Sequence, residues 1–368
     1  MWFATILGGW LAGPSAARVP GRRCGTRLRV ERLEDRAVPA NFTASDVPEL
    51  IAAIDAANLT PEADQITLVS GRNYTLTAVN NNNVHGENGL PEIAAGSSIS
   101  ISGNGATIGR SASKSTAPFR LFEVAASGTL TLRDLTLQGG LAFGRGERAW
   151  GGAVYNLGEL NMERVAVVKN VAQGGYGESA LGGGVYSNGA LSVVDSRFQF
   201  NSAIGGVGSF PLIRNFDIPG RGGDGLGGAV FVAGGTAAIS GTMITGNNAM
   251  GGDGGNAIIV TDGGVDGGTG SGSHLSVIPA GNGGNGLGGG LYVAGAAASL
   301  HTVTTTSNQA QGGSGGAGVK GSPDGAPGLG KGGGIFLAPE SFAELDWFSV
   351  TNTKKNQAST ADPNISGL

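Results

Sequence analysis

Three charged residues fall into one column of this sequence: Asp134, Arg164 and Asp195 each stand four residues after a leucine, namely Leu130, Leu160 and Leu191. If the segments carrying them stack, the two carboxylates lie two strand spacings apart, roughly 10 Å. That is near the separation an inverting glycosidase uses. Arg164 between them works against such chemistry, because a guanidinium favours the ionised form of both acids while the mechanism needs one carboxyl protonated. The expectation is an ion-pair stack at a bend and no catalytic residue, with Asp134, Arg164 and Asp195 as the candidates should turnover exist. A second recurrence is amide: Asn170, Asn201, Asn247 and Asn308 occupy one repeat position, and stacked amides bond from layer to layer at the backbone spacing. They are expected to form a structural ladder. The stretch GGDGGNAII, residues 251–259, fits the Gly-Gly-x-Gly-x-Asp-x-aliphatic-x calcium nonapeptide with Asn256 in the acid position. Calcium takes several charged oxygens, so one copy with a neutral ligand predicts no metal, Asp253 and Asn256 being the candidate ligands. His85, His274 and His301 share no spacing, the sequence contains no HxxE or HExxH, and its GGSGG at residues 312–316 lies inside a glycine-rich insertion, without the strand-to-helix turn that a GxSxG nucleophile needs. Zinc and serine chemistry have no foothold, and no cofactor is expected.

The elements that must position these residues follow from a repeat. Gly-Gly-(Ala/Gly)-aliphatic-aromatic opens at Gly151, Gly182, Gly227, Gly288 and Gly332, and an Asn closes each copy at Asn170, Asn201, Asn247, Asn308 and Asn356. Units this short cannot bury an apolar face alone, so they must stack along one core. Counting back from each Asn aligns Leu160, Met162, Val165 and Val167 with Leu191, Val193, Ser196 and Phe198; Ile239 and Ile244, then Leu300, Val303 and Thr305, take the same columns. Leu130, Leu132, Leu135 and Leu137 repeat the spacing upstream. Alternation in pairs with one phase slip describes two short strands joined by a bend. With the Gly-Gly strand this predicts an all-β solenoid, a parallel β-helix of three strands per coil. Just past the aromatic, the Gly-Gly strands carry Asn156, Ser187, Val232, Val293 and Leu337, none ionisable. The chain is therefore expected not to be an enzyme.

The flanks divide into an export leader with a sorting-like segment (1–40), an N-terminal cap (41–63) and the solenoid (64–368). Residues 46–58, DVPELIAAIDAAN, read as a helix: Asp46 caps it with Glu49 three residues on, Pro48 suits the first turn, and Val47, Leu50, Ile51, Ile54 and Ala57 make one stripe. Such a helix would cover the otherwise open first coil. Ile66 and Leu68, Tyr74 and Leu76, then Ile99 and Ile101 alternate as early coils lacking the glycine signature. Glycine-rich insertions at about 207–226, 253–287 and 314–331 leave from one corner and read as loops lining one edge, where such scaffolds make contacts. Trp2 to Gly13 is apolar and precedes Ser15-Ala16-Ala17, as in a cleaved leader. Pro14 replaces the cysteine a lipid anchor would need after Leu11-Ala12-Gly13.

Glycine supplies 71 of 368 residues and charged residues 14%, which describes neither an average globular chain nor a charge-rich disordered one. Collagen is excluded because no period of three runs through the chain. The single cysteine, Cys24, permits no internal disulfide. Residues 1–40 hold seven Arg against three acids, so the remainder is mildly acidic, which argues against nucleic acid as the partner. No apolar run is long enough for a transmembrane helix.

The GGAVY-type openings, with Phe198-Gln199-Phe200-Asn201 matching a Phe-x-x-Asn element, resemble the repeats of the polymorphic outer-membrane protein family and related right-handed parallel β-helix proteins of the pectate-lyase-like class. The resemblance spans about residues 64–358. Only the second copy keeps the phenylalanine, and the carboxy-terminal membrane barrel that such proteins use for surface display is not expected. It implies right-handed winding and an exported surface, outer-membrane or extracellular role, structural or adhesin-like, with an extracellular glycan or another cell-surface protein as partner. The alternatives are a polysaccharide-binding or polysaccharide-cleaving β-helix, lyase or glycosidase, and a fragment of an autotransporter-like protein. RVERLEDRAVPA, residues 29–40, is similar to a short Leu-Glu-(Asp/Pro)-Arg segment of exported bacterial surface proteins.

Overall fold

Left-handed backbone bends recur in columns and shape every repeat. One column is Asn104, Asp134, Arg164, Asp195, Gly241 and Thr302; a second, immediately before the recurring Asn, is Lys169, Phe200, Gly246, Ser307 and Lys355; a third is the first glycine of each pair, Gly151, Gly182, Gly227, Gly288 and Gly332. All have φ between 48° and 68°. The second glycine is required for a different reason. A Cβ on Gly152, Gly183, Gly228 or Gly289 would strike the carbonyl oxygen of its counterpart in the next repeat. Only glycine permits that approach.

The computed structural model describes residues 39–144, 149–209, 220–261 and 275–367. Residues 1–38, which hold the leader and most of the sorting-like segment, lie outside them, as does His274. The described chain is all-β and mostly parallel, with two helices, α1 (Val47–Ala57) and α2 (Trp347–Asn352). Its largest sheet has 15 strands. In it Leu130, Leu160 and Leu191 are register partners, as are Leu132, Met162, Val193, Ile239 and Leu300. Parallel sheets of seven, six and five strands carry the Gly-Gly strands, the segments after each Asn, and the residue pairs before each Gly-Gly. This architecture is compatible with a β-helix. One repeat comprises short strands at Glu159–Glu163, Ala166–Val168, Val171–Gln173, Ala180–Leu181 and Val185–Ser187. The sequence pattern predicts three strands here. It misses Val171–Gln173, which turns one side chain inward, Ala172, and the two-residue Ala180–Leu181, which buries only Ala180; one buried residue makes no alternation.

A continuous apolar core runs from Ala44 to Leu337 through the inward columns. Outside it, Tyr155, Tyr186, Phe231, Tyr292 and Phe336 stack with ring centroids 4.8–5.6 Å apart, near the strand spacing. Helix α1 buries Leu50, Ala53, Ile54 and Ala57, with Val47 and Ile51 packed against the same core. The Asp46 side chain accepts from the Glu49 amide at 3.0 Å, and the Glu49 carboxylate accepts from the Ser45 amide and hydroxyl at 2.7 Å. Asn58, just past the helix, donates to the Glu92 carbonyl at 2.8 Å.

The described parts of the glycine-rich insertions are ordered ladders, not simple loops. Gly251, Gly254 and Ala257 donate to the carbonyls of Gln311, Ser314 and Ala317; Gly252 and Gly255 donate instead to Gly223 and Gly220. Outgoing segments therefore bond to like segments in the next repeat, and antiparallel to returning ones. The bonds recur every third residue, the period of a polyproline II helix, which makes none internally. A zigzag joins the two layers: each of Gly223, Gly252, Gly284, Gly313 and Gly328 donates to the carbonyl of the glycine before it, starting from Gly206. The period of three absent from the whole chain is thus present locally, as Gly-Gly-x going out and Gly-x-Gly coming back.

Candidate functional site

The charge column assembles, though not as an acid pair. Arg164 forks onto Asp134, Nε to Oδ1 at 2.6 Å and Nη2 to Oδ2 at 2.9 Å, and its other nitrogen pairs with Glu163. Arg133 meets Glu163 at 3.0 Å. The Arg164 hydrogen bonds hold the Asp134 carboxyl below the usual aspartate range, and the Asp134 and Glu163 bonds raise the guanidinium. Asp195 shares the bend conformation but makes no ion pair among the described residues. Asp134 is thus poorly suited to remain protonated. The side chains are about half exposed, where such pairs contribute little.

The asparagines form a buried chain of amides. Each carbonyl oxygen accepts both the backbone N–H and the Nδ2–H of the preceding member, Asn170 to Asn201, Asn201 to Asn247, Asn247 to Asn308 and Asn308 to Asn356, all at 2.9–3.0 Å. Every Nδ2 also donates to a strand carbonyl, that of Phe198 for Asn247. Donors and acceptors are matched at every rung, which leaves these amides no free group for a ligand. Asp253 and Asn256 behave similarly: their side-chain oxygens accept from the Ser314 and Ala317 amides at 2.7 and 2.9 Å. Among the described residues no group of three His, Cys, Asp or Glu is placed to hold a metal.

A polar cluster absent from the sequence reading surrounds Glu123, whose side chain is fully buried. Its carboxylate meets His85 Nδ1 at 2.6 Å and accepts from Asn88 and Asn83 at 2.7 and 2.9 Å; Arg120 lies 3.6 Å away. Arg120 donates to the His85 carbonyl at 2.6 Å and sits over the Tyr155 ring, 5.2 Å from its centroid. Glu92 shares Asn83, and burial together with the Glu123 charge raises its carboxyl above the usual glutamate range. The carboxylate–imidazole pair has the form of an oriented base. Its other partners all fasten the Asn81–Asn88 hairpin to the strand Phe122–Val124. The signal was the run NNNNVHGEN, residues 80–88, whose Asn83 and Asn88 amides donate to Glu123; histidine spacing alone could not reveal it.

A groove crosses the outer face of the long sheet. Its first cleft, about 580 Å³, runs over Thr75, Thr107, Gln138 and Lys169; a second, about 410 Å³, shares Arg110, Ala112 and Leu141 and is walled by Ser113, Lys114 and Thr116. Gly109, Gly139 and Gly140 keep the floor low. Beyond Phe143 and Gln173 it reaches a third cleft containing Tyr176 and Glu178. Arg110 is fixed by donating to the carbonyls of Gly139 at 3.1 Å and Thr116 at 3.1 Å.

Comparison of the chain with protein-family models, with curated proteins and with solved structures returns no match in any of the three.

Proposed function

We propose that the chain is a right-handed parallel β-helix whose strand segments group into three faces per coil, capped by α1, and that it is a non-enzymatic, exported bacterial surface or extracellular module, structural or adhesin-like. The observation that carries this reading is the use of the recurring polar columns for coil-to-coil bonds. Asparagine amides, insertion aspartates and insertion asparagines all hold one repeat to the next, as a scaffold requires and a catalyst does not. An extracellular glycan or another cell-surface protein is the partner this reading calls for. Fractionating the producing cells and sequencing the mature amino terminus tests it. Export with a new terminus near Arg18 is expected; an intact Met1 in the cytoplasm would contradict it.

A second reading, polysaccharide binding or cleavage, is favoured by the groove over Thr107 and Gln138. Release of reducing sugar or unsaturated uronide, lost on changing Asp134 or Asp195, would replace the first reading with cleavage.

A further inference from the structure

We infer that the protein self-associates as a closed dimer, two copies meeting through the repeat that opens at Gly332, with α2 and the strand Phe342–Leu345 at the centre of the interface. The outer column that reads Glu159, Ala190, Thr236 and Ala297 in successive repeats becomes Phe342 here. Phe342, Trp347 and Phe348 are 64, 81 and 43% exposed, with Val350 beside them. Helix α2 has its polarity reversed, because its one buried side chain is Ser349. That hydroxyl accepts from the Val303 amide of the preceding repeat at 3.0 Å. Residues two apart in a helix lie roughly 200° apart about its axis, so Trp347 points away from that repeat. Nearby, Ala343 and Leu345 continue the buried columns of Ala298 and Leu300 but are themselves only partly buried. Large aromatics beside incompletely covered core residues are the groups that anchor an interface once water is excluded.

The backbone ladders do not invite a further layer at this end. Gly251 and Gly286 donate to the next repeat's carbonyls, Gln311 and Leu329, whereas their counterparts Gly312 and Gly330 donate to the Ser359 and Thr360 hydroxyls at 3.1 and 3.0 Å. Pro327 lacks the N–H that Gly283, in the same column, donates to the Ala326 carbonyl. Pro363, in the column of Gly289 and Gly333, lacks another. Edge-to-edge addition, which would propagate as a fibre, is closed off in these columns, and contact falls to the side chains around α2. Charge favours a second copy as the occupant. Glu340 and Glu344 precede α2 and Lys354 and Lys355 follow it; all four are exposed, and none is in an ion pair among the described residues. A two-fold axis through α2 sets the acids of one copy against the lysines of the other. Helix α1 packs on the core at the opposite end, so the same patch serves both copies and association stops at two.

The full-length protein is examined by sedimentation equilibrium over a concentration series. Beside it run Phe342→Ser/Trp347→Ser, the single reversal Glu344→Lys, the double reversal Glu344→Lys/Lys354→Glu, and Asp55→Lys on the exposed face of α1. Every replaced side chain is exposed, and circular dichroism of each variant checks its fold. The expected result is a dimer for the wild type and for Asp55→Lys. Dimerisation should weaken at least ten-fold in the aromatic variant and several-fold in the single reversal, and it should recover in the double reversal. Recovery cannot come from misfolding, so the charge arm stands even if the aromatic variant fails to fold. A monomeric wild type, as when the patch serves a different protein, would overturn the inference. Assemblies that keep growing with concentration, undiminished dimerisation of a folded aromatic variant, or a double reversal no better than the single one would also overturn it.

Discussion

Asn247 shows how much a single rung carries. It accepts two hydrogen bonds from Asn201 and donates to Asn308 and to the Phe198 carbonyl, and it is buried. Truncation to alanine strands several buried polar groups, each worth about 1–3 kcal/mol. Asn247→Ala should therefore lower stability by at least about 3 kcal/mol in urea denaturation, whereas Asn161→Ala, on the outer face, should change it little. The acids predict opposite slopes with pH. The folded-state carboxyl of Glu92 is raised, so folding binds a proton above the ordinary glutamate range, and stability falls as pH rises through the raised value. Glu92→Gln should therefore gain stability relative to wild type at neutral pH and lose that advantage in acid, as read from melting temperature against pH. Asp134 is lowered; its contribution is present above the ordinary aspartate range and fades as pH falls through the depressed value. Its exposure keeps that contribution small.

Among the elements, the core strands were legible in the sequence because Leu160, Met162 and their partners alternate, and because each recurring Asn marks a bend. Helix α1 was legible to within a residue from Asp46, Glu49 and its apolar stripe. The insertions were not. Gly252 and Gly284 look like loop residues because their role is to have no side chain, and no apolar periodicity can announce a ladder made of backbone. The Glu123 cluster was hidden for a related reason, since His85 and Glu123 meet only once the hairpin folds over. The glycine ladder makes a sharp prediction. A Cβ on Gly284 would run into the Gly223 carbonyl, so Gly284→Ala should destabilise by about 1–3 kcal/mol through overpacking. Ser314→Ala, in the outward third place of its triplet, should be nearly neutral. Thermal melts of the two variants compare them directly.

For the whole molecule, stacking makes each repeat depend chiefly on its neighbours. The regular groove, the stacked rings from Tyr155 to Phe336 and the amide chain from Asn170 to Asn356 are three consequences of one registration. The most direct test is a disulfide between register partners. Asn161 and Ser192 face each other on adjacent parallel strands, within the Cα separation a disulfide accepts. In a Cys24→Ser background, Asn161→Cys/Ser192→Cys should oxidise to an intramolecular crosslink, found by peptide mass mapping, while Asn161→Cys/Val194→Cys should do so far less. Equal crosslinking of the two pairs, or none in the first, would contradict in-register stacking of successive repeats.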